Sequence, residues 1–473
     1  MFSPDAYSRR SFLRSSGCGF GALAASSLAA SDRSSHHAFH HAPTAKRVIF
    51  LFMAGGVSQV DSFDYKPTLD LFDGKEHDFA DARSIAKTGK GISARVMKSL
   101  WPFSQKGDCG KWTSDLFPEI SRHVDDLCFL HGMHTEGVAH GPATLFLHTG
   151  TTTQIRPSMG SWISYGLGTL NENLPTFVTL SPSSGNGGPR NYGSSFLPAV
   201  HQGTAIGRAG LATRDATIRF IENTDRNRKE QHAQLELIQS LNRDQIDFRQ
   251  QNGMAVPSDF EAILESYEMA WRMQHFAPDV IDISSESSET KAMYGIDEKR
   301  TDDYGRQCLM ARRLAEAGVR FIQVNYTDNS NNPAWDQHSN LPKHKDHARA
   351  VDLPISGLLS DLKQRGLLED TLVWWGGEFG RNPFAQNNGT GRDHDPNGFT
   401  VWLAGGGVKP ACAYGQTDEF GHRAITEKTH MHDLHATVLH LLGLDHQRLT
   451  YRFAGRDFRL TDVAGEVIHQ IIT

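Results

Sequence analysis

Asp, Glu and His residues able to hold a divalent cation recur beside short apolar runs in this 473-residue chain. Asp61 and Asp64 follow the run at 48–53, and Trp335-Asp336-Gln337-His338 follows the run at 319–324. Glu378 and Arg381 follow the run at 371–375. His394, within Gly391-Arg392-Asp393-His394-Asp395, precedes the run at 400–404. Carboxylates and imidazoles delivered from several strand ends can surround a cation, each donating a lone pair while a rigid sheet fixes the geometry. A mixed set of this kind suits zinc, manganese or calcium and does not choose among them. Each residue taken alone also has a plainer reading: Asp64 can cap a turn, and Asp393 can pair with Arg392. Arg381 can grip an anionic substrate through a bidentate fork, or it can serve in a structural salt bridge.

Such side chains converge only if the runs beside them are neighbours in one sheet. Val48-Ile49-Phe50-Leu51-Phe52-Met53, ending at Ala54-Gly55-Gly56, fits a central strand covered on both faces. Comparable runs lie at 127–130, 177–180, 319–324, 371–375 and 400–404. Helical periodicity fills the spaces between them. Val351, Ile355, Leu358 and Leu362 form one apolar face, and Leu434, Val438, Leu441 and Leu442 form another. The second helix has Asp433 placed as an N-cap and Gly443 as a C-cap. Strands alternating with helices predict an α/β sandwich with a mostly parallel sheet, and its sites belong at the strand ends. The stretch at 215–294 is charged, Gln-rich and helical in pattern, which predicts an inserted or peripheral helical layer.

The first thirty residues are of another kind. Ser8-Arg9-Arg10-Ser11-Phe12 sets paired arginines before a small, uncharged apolar stretch at 17–28, and Ser27-Leu28-Ala29 offers a cleavage site. These are the ingredients of a twin-arginine signal segment at 1–30. The expected location is periplasmic or extracellular, with the twin-arginine translocase as a partner during export. Residues 31–45, rich in Ser, His and Ala, read as a linker, with His36-His37 and His40-His41 in a solvated tether. The remaining domain, 46–473, has enough apolar residues for a substantial core, at 38% of the chain. A net charge of -6 gives no general pull toward nucleic acid. No apolar run outside the signal approaches the roughly 18 residues a membrane helix needs. Of five cysteines, Cys18 falls in the signal, and Cys109, Cys128, Cys308 and Cys412 form no C-x-x-C pair. One disulfide is possible in an oxidising compartment, and the spacing does not identify it.

Several of these segments resemble one family. Met53-Ala54-Gly55-Gly56-Val57-Ser58-Gln59-Val60-Asp61-Ser62-Phe63-Asp64 is similar to the opening of an uncharacterised bacterial family within the alkaline phosphatase and sulfatase superfamily. So are His140-Gly141-Pro142-Ala143, Thr149-Gly150, Trp335-Asp336-x-His338 and Trp375-Gly376-Gly377-Glu378-Phe379-Gly380-Arg381. The resemblance spans about Lys46 to Leu460. It implies an alkaline phosphatase-like fold, with metal ions at the carboxyl ends of the strands of a mostly parallel sheet. It also implies a metal-dependent hydrolase of sulfate or phosphate esters, acting on a small-molecule or polysaccharide ester.

Residue by residue the likeness is uneven. His140 stands where sulfatases carry a Cys or Ser nucleophile, and Thr144 stands at their arginine position. His140 then becomes a nucleophile or proton shuttle, a general base, or a metal ligand. Ala54-Gly55 replaces the superfamily's paired acids, so Asp61 or Asp64 has to substitute. Glu378-Phe379 replaces an Asp-His pair. His394 resembles a later metal-binding His, and Asp336 with His338 resembles a ligand pair at shorter spacing. His430 and His432 are further candidates to line the site. A non-catalytic binding protein on the same fold is the rival reading. A phosphomutase-like isomerase, which would need Ser58 or Thr144 to accept phosphate, is a weaker one.

Overall fold

The run at 48–53 becomes β1 (Arg47–Met53), in which every residue is buried. A computed structural model describes residues 39–219, 221, 225–254, 258–386 and 389–473, with only the backbone for 258–265. The signal segment at 1–30, and the linker as far as residue 38, lie outside the described residues. After β1 the main sheet takes β2 (Leu127–His134), β3 (Phe177–Leu180), β4 (Thr204–Ile206), β5 (Phe321–Tyr326) and β6 (Thr371–Gly376). It is completed by β7 (Phe399–Ala404), β8 (Cys412–Tyr414) and β9 (Thr429–His430). The order is β8-β2-β7-β6-β1-β5-β3-β4, with β9 pairing on β2. Only β7 runs antiparallel to its neighbours. The architecture is α/β with a mostly parallel sheet, as expected.

Helices cover both faces: α1 (His140–Thr149), α2 (Met159–Leu167), α3 (Arg228–Gln251), α4 (Ser258–Ile281), α5 (Asp302–Glu316), α6 (His344–Gln364) and α7 (Met431–Leu441). Alternate residues of β1 serve the two cores, because side chains along a strand point to opposite faces. Ile49, Leu51 and Met53 pack with Leu309 and Leu314 of α5 and with Val351, Ile355 and Leu358 of α6. Val48, Phe50 and Phe52 pack with Phe146 of α1, Trp162 of α2 and Leu434 and Val438 of α7. Each buried Phe or Leu contributes roughly 1.5–3 kcal/mol. This double burial holds β1, and the turn that follows it, in one position.

Two details differ from the sequence reading. Asp433 is not the N-cap of α7. That place is taken by His430, whose backbone N–H donates to the Asp433 carboxylate at 2.8 Å in a capping box. Gly443 lies just beyond the helix at φ +81°. Residues 39–45 are not a free tether: His40 N–H and His41 N–H donate to Gly443 O, and Thr44 N–H and Ala45 N–H donate to Leu441 O. The C-terminal carbonyls of a helix lack partners within it, and this strap supplies them. The charged middle forms α3, with no buried residue, and α4, which sends Met273 and Ala277 into the core. Cys109, Cys128, Cys308 and Cys412 are free thiols, and Cys128 and Cys412 are register partners on neighbouring strands. Among the described residues, no helix is long and apolar enough to cross a membrane.

Candidate metal centre

Four chain segments meet at the carboxyl end of the parallel strands. His140 opens α1, after β2. Asp336 and His338 lie in the loop after β5, and Glu378 follows β6. His394 comes before β7. Because β7 alone is antiparallel, its entrance lies at the same end of the sheet where the other strands exit. His394 is held there by a short ladder in which Gly380 and Arg381 pair with Asp395 and His394.

The ligand atoms of His140, Asp336, His338 and His394 all lie within 4.8 Å of one another. Asp336 is at the middle. Its Oδ1 is 2.9 Å from His338 Nε2 and 3.3 Å from His394 Nε2, and its Oδ2 is 3.2 Å from His140 Nε2. The His338 and His394 Nε2 atoms are 3.0 Å apart. The His140 Nε2 is buried and off the line of a hydrogen bond to Asp336, so it has no hydrogen-bond partner. Three imidazole nitrogens and a carboxylate oxygen this close together, with one buried nitrogen left over, fit a cation held by all four.

A second layer fixes these rings. Glu378, fully buried, holds His140 Nδ1 at 2.7 Å and accepts from Gly55 N–H at 2.9 and 3.0 Å. His394 Nδ1 donates to Val138 O at 2.9 Å, and His338 Nδ1 donates to Gln386 Oε1 at 2.6 Å. Metal-binding histidines are typically oriented in this way through the second nitrogen. Gly55 allows the close approach. At φ +114°, a Cβ on it would stand 2.6 Å from Asp336 N. The sequence reading passed over Gly55, Val138 and Gln386, and Gly55-Gly56 directly after an apolar strand was the one signal present.

The electrostatics follow from burial against charge. Burial opposes ionisation of Asp336, but its bonds to His140, His338 and His394 hold it well below the usual carboxylate range. Burial also opposes the His140 cation, yet Asp336 and Glu378 outweigh it and raise the His140 pKa. For His394 burial prevails over Asp336 and lowers the pKa to about 4, leaving a neutral ring able to donate its lone pair.

The other predicted site residues lie elsewhere. Asp61 is fully buried and pairs with Arg392 at 2.8 Å, while accepting from Leu100 N–H and from Ser58 Oγ. Asp64 pairs with Lys66 at 3.1 Å and accepts from Thr417 Oγ1, and burial raises its pKa. Both are braces outside the cluster: Asp61 is tied to the loop at 97–101 through Leu100 N–H, and Asp64 to Lys66 and Thr417. Arg381 is fully buried behind Asp336, bonded to its Oδ1 at 2.7 Å and to the carbonyls of Gly55, Gly56, Trp335 and Arg392. Its donors are spent on the protein, in keeping with the structural salt bridge that was one of the two readings. His430 and His432 sit beside His134 and Phe146, outside the cluster. Ser58 is fully buried and bonded to Asp61, so it offers no accessible hydroxyl.

No curated protein matches the chain in sequence. Among solved structures, it is similar to Ps i-CgsB in complex with k-i-k-neocarrahexaose, at 11% identity, covering 84% of this chain and 72% of that one, with a TM-score of 0.35. It is similar to the lipoteichoic acid synthase LtaP from Listeria monocytogenes, at 9% identity, covering 89% and 76%, with a TM-score of 0.37. A magnesium-bound variant of the alkaline phosphatase from the Antarctic bacterium TAB5 shares 11% identity, covering 85% and 99%, with a TM-score of 0.35. Likenesses this distant leave the chemistry to be read from the site. In sequence, the family described as Protein of unknown function (DUF1501) matches residues 45–472, and the chain belongs to it.

Proposed function

We propose that this chain is a metal-dependent hydrolase of sulfate or phosphate esters. The observation that carries the metal is the convergence of His140, His338 and His394 on Asp336. The ester class rests on the sequence resemblance around His140-Gly141-Pro142-Ala143. Nitrogen-rich donors suit zinc or manganese; calcium takes about six to eight oxygen ligands. When bound, such an ion polarises an ester oxygen and lowers the pKa of a nearby water.

The chain's own residues then have distinct tasks. Asp336 supplies the negative charge, and Arg381 behind it fixes the carboxylate's orientation. Glu378 fixes the tautomer of His140 by accepting its Nδ1 proton, which turns Nε2 toward Asp336. With Nδ1 held by Glu378 and Nε2 left without a hydrogen-bond partner, His140 serves in this reading as a metal ligand through Nε2. His338 is the most exposed of the four, its side chain 24% open to solvent, and marks the side from which substrate enters. Export by the twin-arginine route to the periplasm or beyond belongs to the same proposal, since that route suits a site assembled before transport.

The test is metal analysis of the purified chain, paired with assays on aryl sulfates and aryl phosphates after loading with zinc or manganese. The expected result is about one metal ion per chain, as in single catalytic zinc sites, with turnover of one ester class. A chain that holds no metal and turns over neither ester contradicts the proposal. Metal without turnover leaves the binding-protein reading in its place.

A further inference from the structure

β8 (Cys412–Tyr414) is three residues long and lies at one edge of the main sheet. It pairs in parallel with β2, with Cys412 opposite Cys128, Ala413 opposite Phe129 and Tyr414 opposite Leu130. Neighbouring strands lie about 4.8 Å apart, and a disulfide needs its two Cα atoms about 4.4–6.8 Å apart. Register partners also share a face of the sheet. Here Cys128 belongs to the apolar core beneath α1, α2 and α7, and Cys412 packs against that same core.

The two thiols are unequal. Cys128 is fully buried, whereas Cys412 is partly exposed. A hydrogen bond from the Cys128 thiol, helped by the Lys409 and Lys111 cations, lowers the Cys412 pKa against the opposing effect of burial. The same hydrogen bond, together with burial, raises that of Cys128. Since the thiolate is the nucleophile in thiol chemistry, Cys412 is the attacking group and Cys128 the resolving one. The other two cysteines stand apart: Cys308 is buried in the opposite core, and Cys109 sits in an exposed turn with its N–H bonded to Asp125.

We propose that Cys128 and Cys412 join in a disulfide that fastens the edge strand β8 to β2. The oxidant is a small disulfide or the disulfide of an oxidoreductase. The Cys412 thiolate attacks one of its sulfurs, forming a mixed disulfide and expelling a thiolate, which takes the Cys128 proton. The Cys128 sulfur then attacks Cys412 Sγ and expels the second thiolate, which is protonated by solvent. Two cysteine thiols are oxidised and one disulfide is reduced to two thiols. In the proposed export route the chain is already folded when it meets an oxidising compartment, so one thiol has to be reachable from outside, and Cys412 is.

The bond lies at the start of β2, at the opposite end of the strand from α1 and His140. It therefore acts on the stability of the edge and owes nothing to the hydrolase reading. Cross-links that close long loops are the ones expected to stabilise most, and this one closes nearly the whole stretch from β2 to β8.

The test is peptide mapping of the full chain under non-reducing conditions, after incubation with oxidised glutathione and alkylation of the remaining free thiols. Cys128 and Cys412 are expected in one linked peptide pair that dithiothreitol separates. The urea midpoint of the oxidised chain should lie above that of the reduced chain. Cys412→Ser, a near-isosteric change at a partly exposed edge position, should keep the reduced midpoint and lose the response to oxidant. Alkylated thiols at both positions after oxidation overturn the proposal. So does a bond from Cys412 to Cys109, or a mapped Cys128–Cys412 bond that leaves the urea midpoint unmoved.

Discussion

Two groups of histidines stand at the two ends of α1, and they differ in what their rings meet. At its N-terminus, His140 joins His338 and His394 around Asp336. Near its C-terminus, His148 packs with Phe50 and Phe52, while His432 and His435 of α7 lie close to each other. His148 Nδ1 donates to Thr144 O and His435 Nε2 donates to Leu147 O, both at 2.8 Å. Burial dominates this second group. It lowers His148 and His435 to about 4 and His432 to about 3. The shared carboxylate is the difference: Asp336 stands among the three rings of the first group, whereas burial is the largest influence on each ring of the second.

The comparison can be broken at its strongest point first. Asp336→Asn removes the central charge and leaves Arg381 buried without its ion pair, so metal content should fall to near zero; elemental analysis reads this directly. Glu378→Gln keeps all four ligands but loosens His140, and metal affinity should drop about 10- to 100-fold, as measured by competition with a chelator. Asp61→Asn should leave metal content unchanged. It breaks the buried pair with Arg392 and should cost about 3–5 kcal/mol in urea unfolding. Metal loss in Asp61→Asn with stability unchanged would restore Asp61 to the ligand set.

The smallest expected effect concerns pH. The unfolded state takes up a proton near the ordinary histidine value of about 6.5, whereas folded His148 and His435 resist it until about 4. Their contribution is therefore fully present above the unfolded value. It is lost as pH falls toward the folded one, by up to about 3 kcal/mol each. His435→Gln, whose amide can keep the bond to Leu147 O, should flatten the slope of stability between these limits. An unchanged slope in denaturant titrations would show that His435 is not held neutral.

The sheet was legible because β1, β5, β6 and β7 are buried on both faces, which writes them as unbroken apolar runs ending in glycine or polar residues. The four residues that meet, His140, Asp336, His338 and His394, were singled out in sequence because strand ends in such folds collect sites, with His140 read first as a nucleophile or proton shuttle. Asp61 and Asp64 misled, because proximity in sequence to a strand end says nothing of where the chain turns next. Here Arg392, more than 300 residues away, pulls Asp61 into a buried pair. Arg381 kept two readings, substrate fork or structural salt bridge, because an arginine's partners are invisible in sequence, and four of its five are backbone carbonyls.

The central claim is that one cation sits among His140, Asp336, His338 and His394. Anomalous scattering from crystals of the metal-loaded chain, collected across the zinc and manganese absorption edges, tests it directly. The account predicts a single strong peak within bonding distance of the three imidazole nitrogens and the Asp336 carboxylate. Loaded crystals with no peak there, or with the peak among His148, His432 and His435, would contradict it.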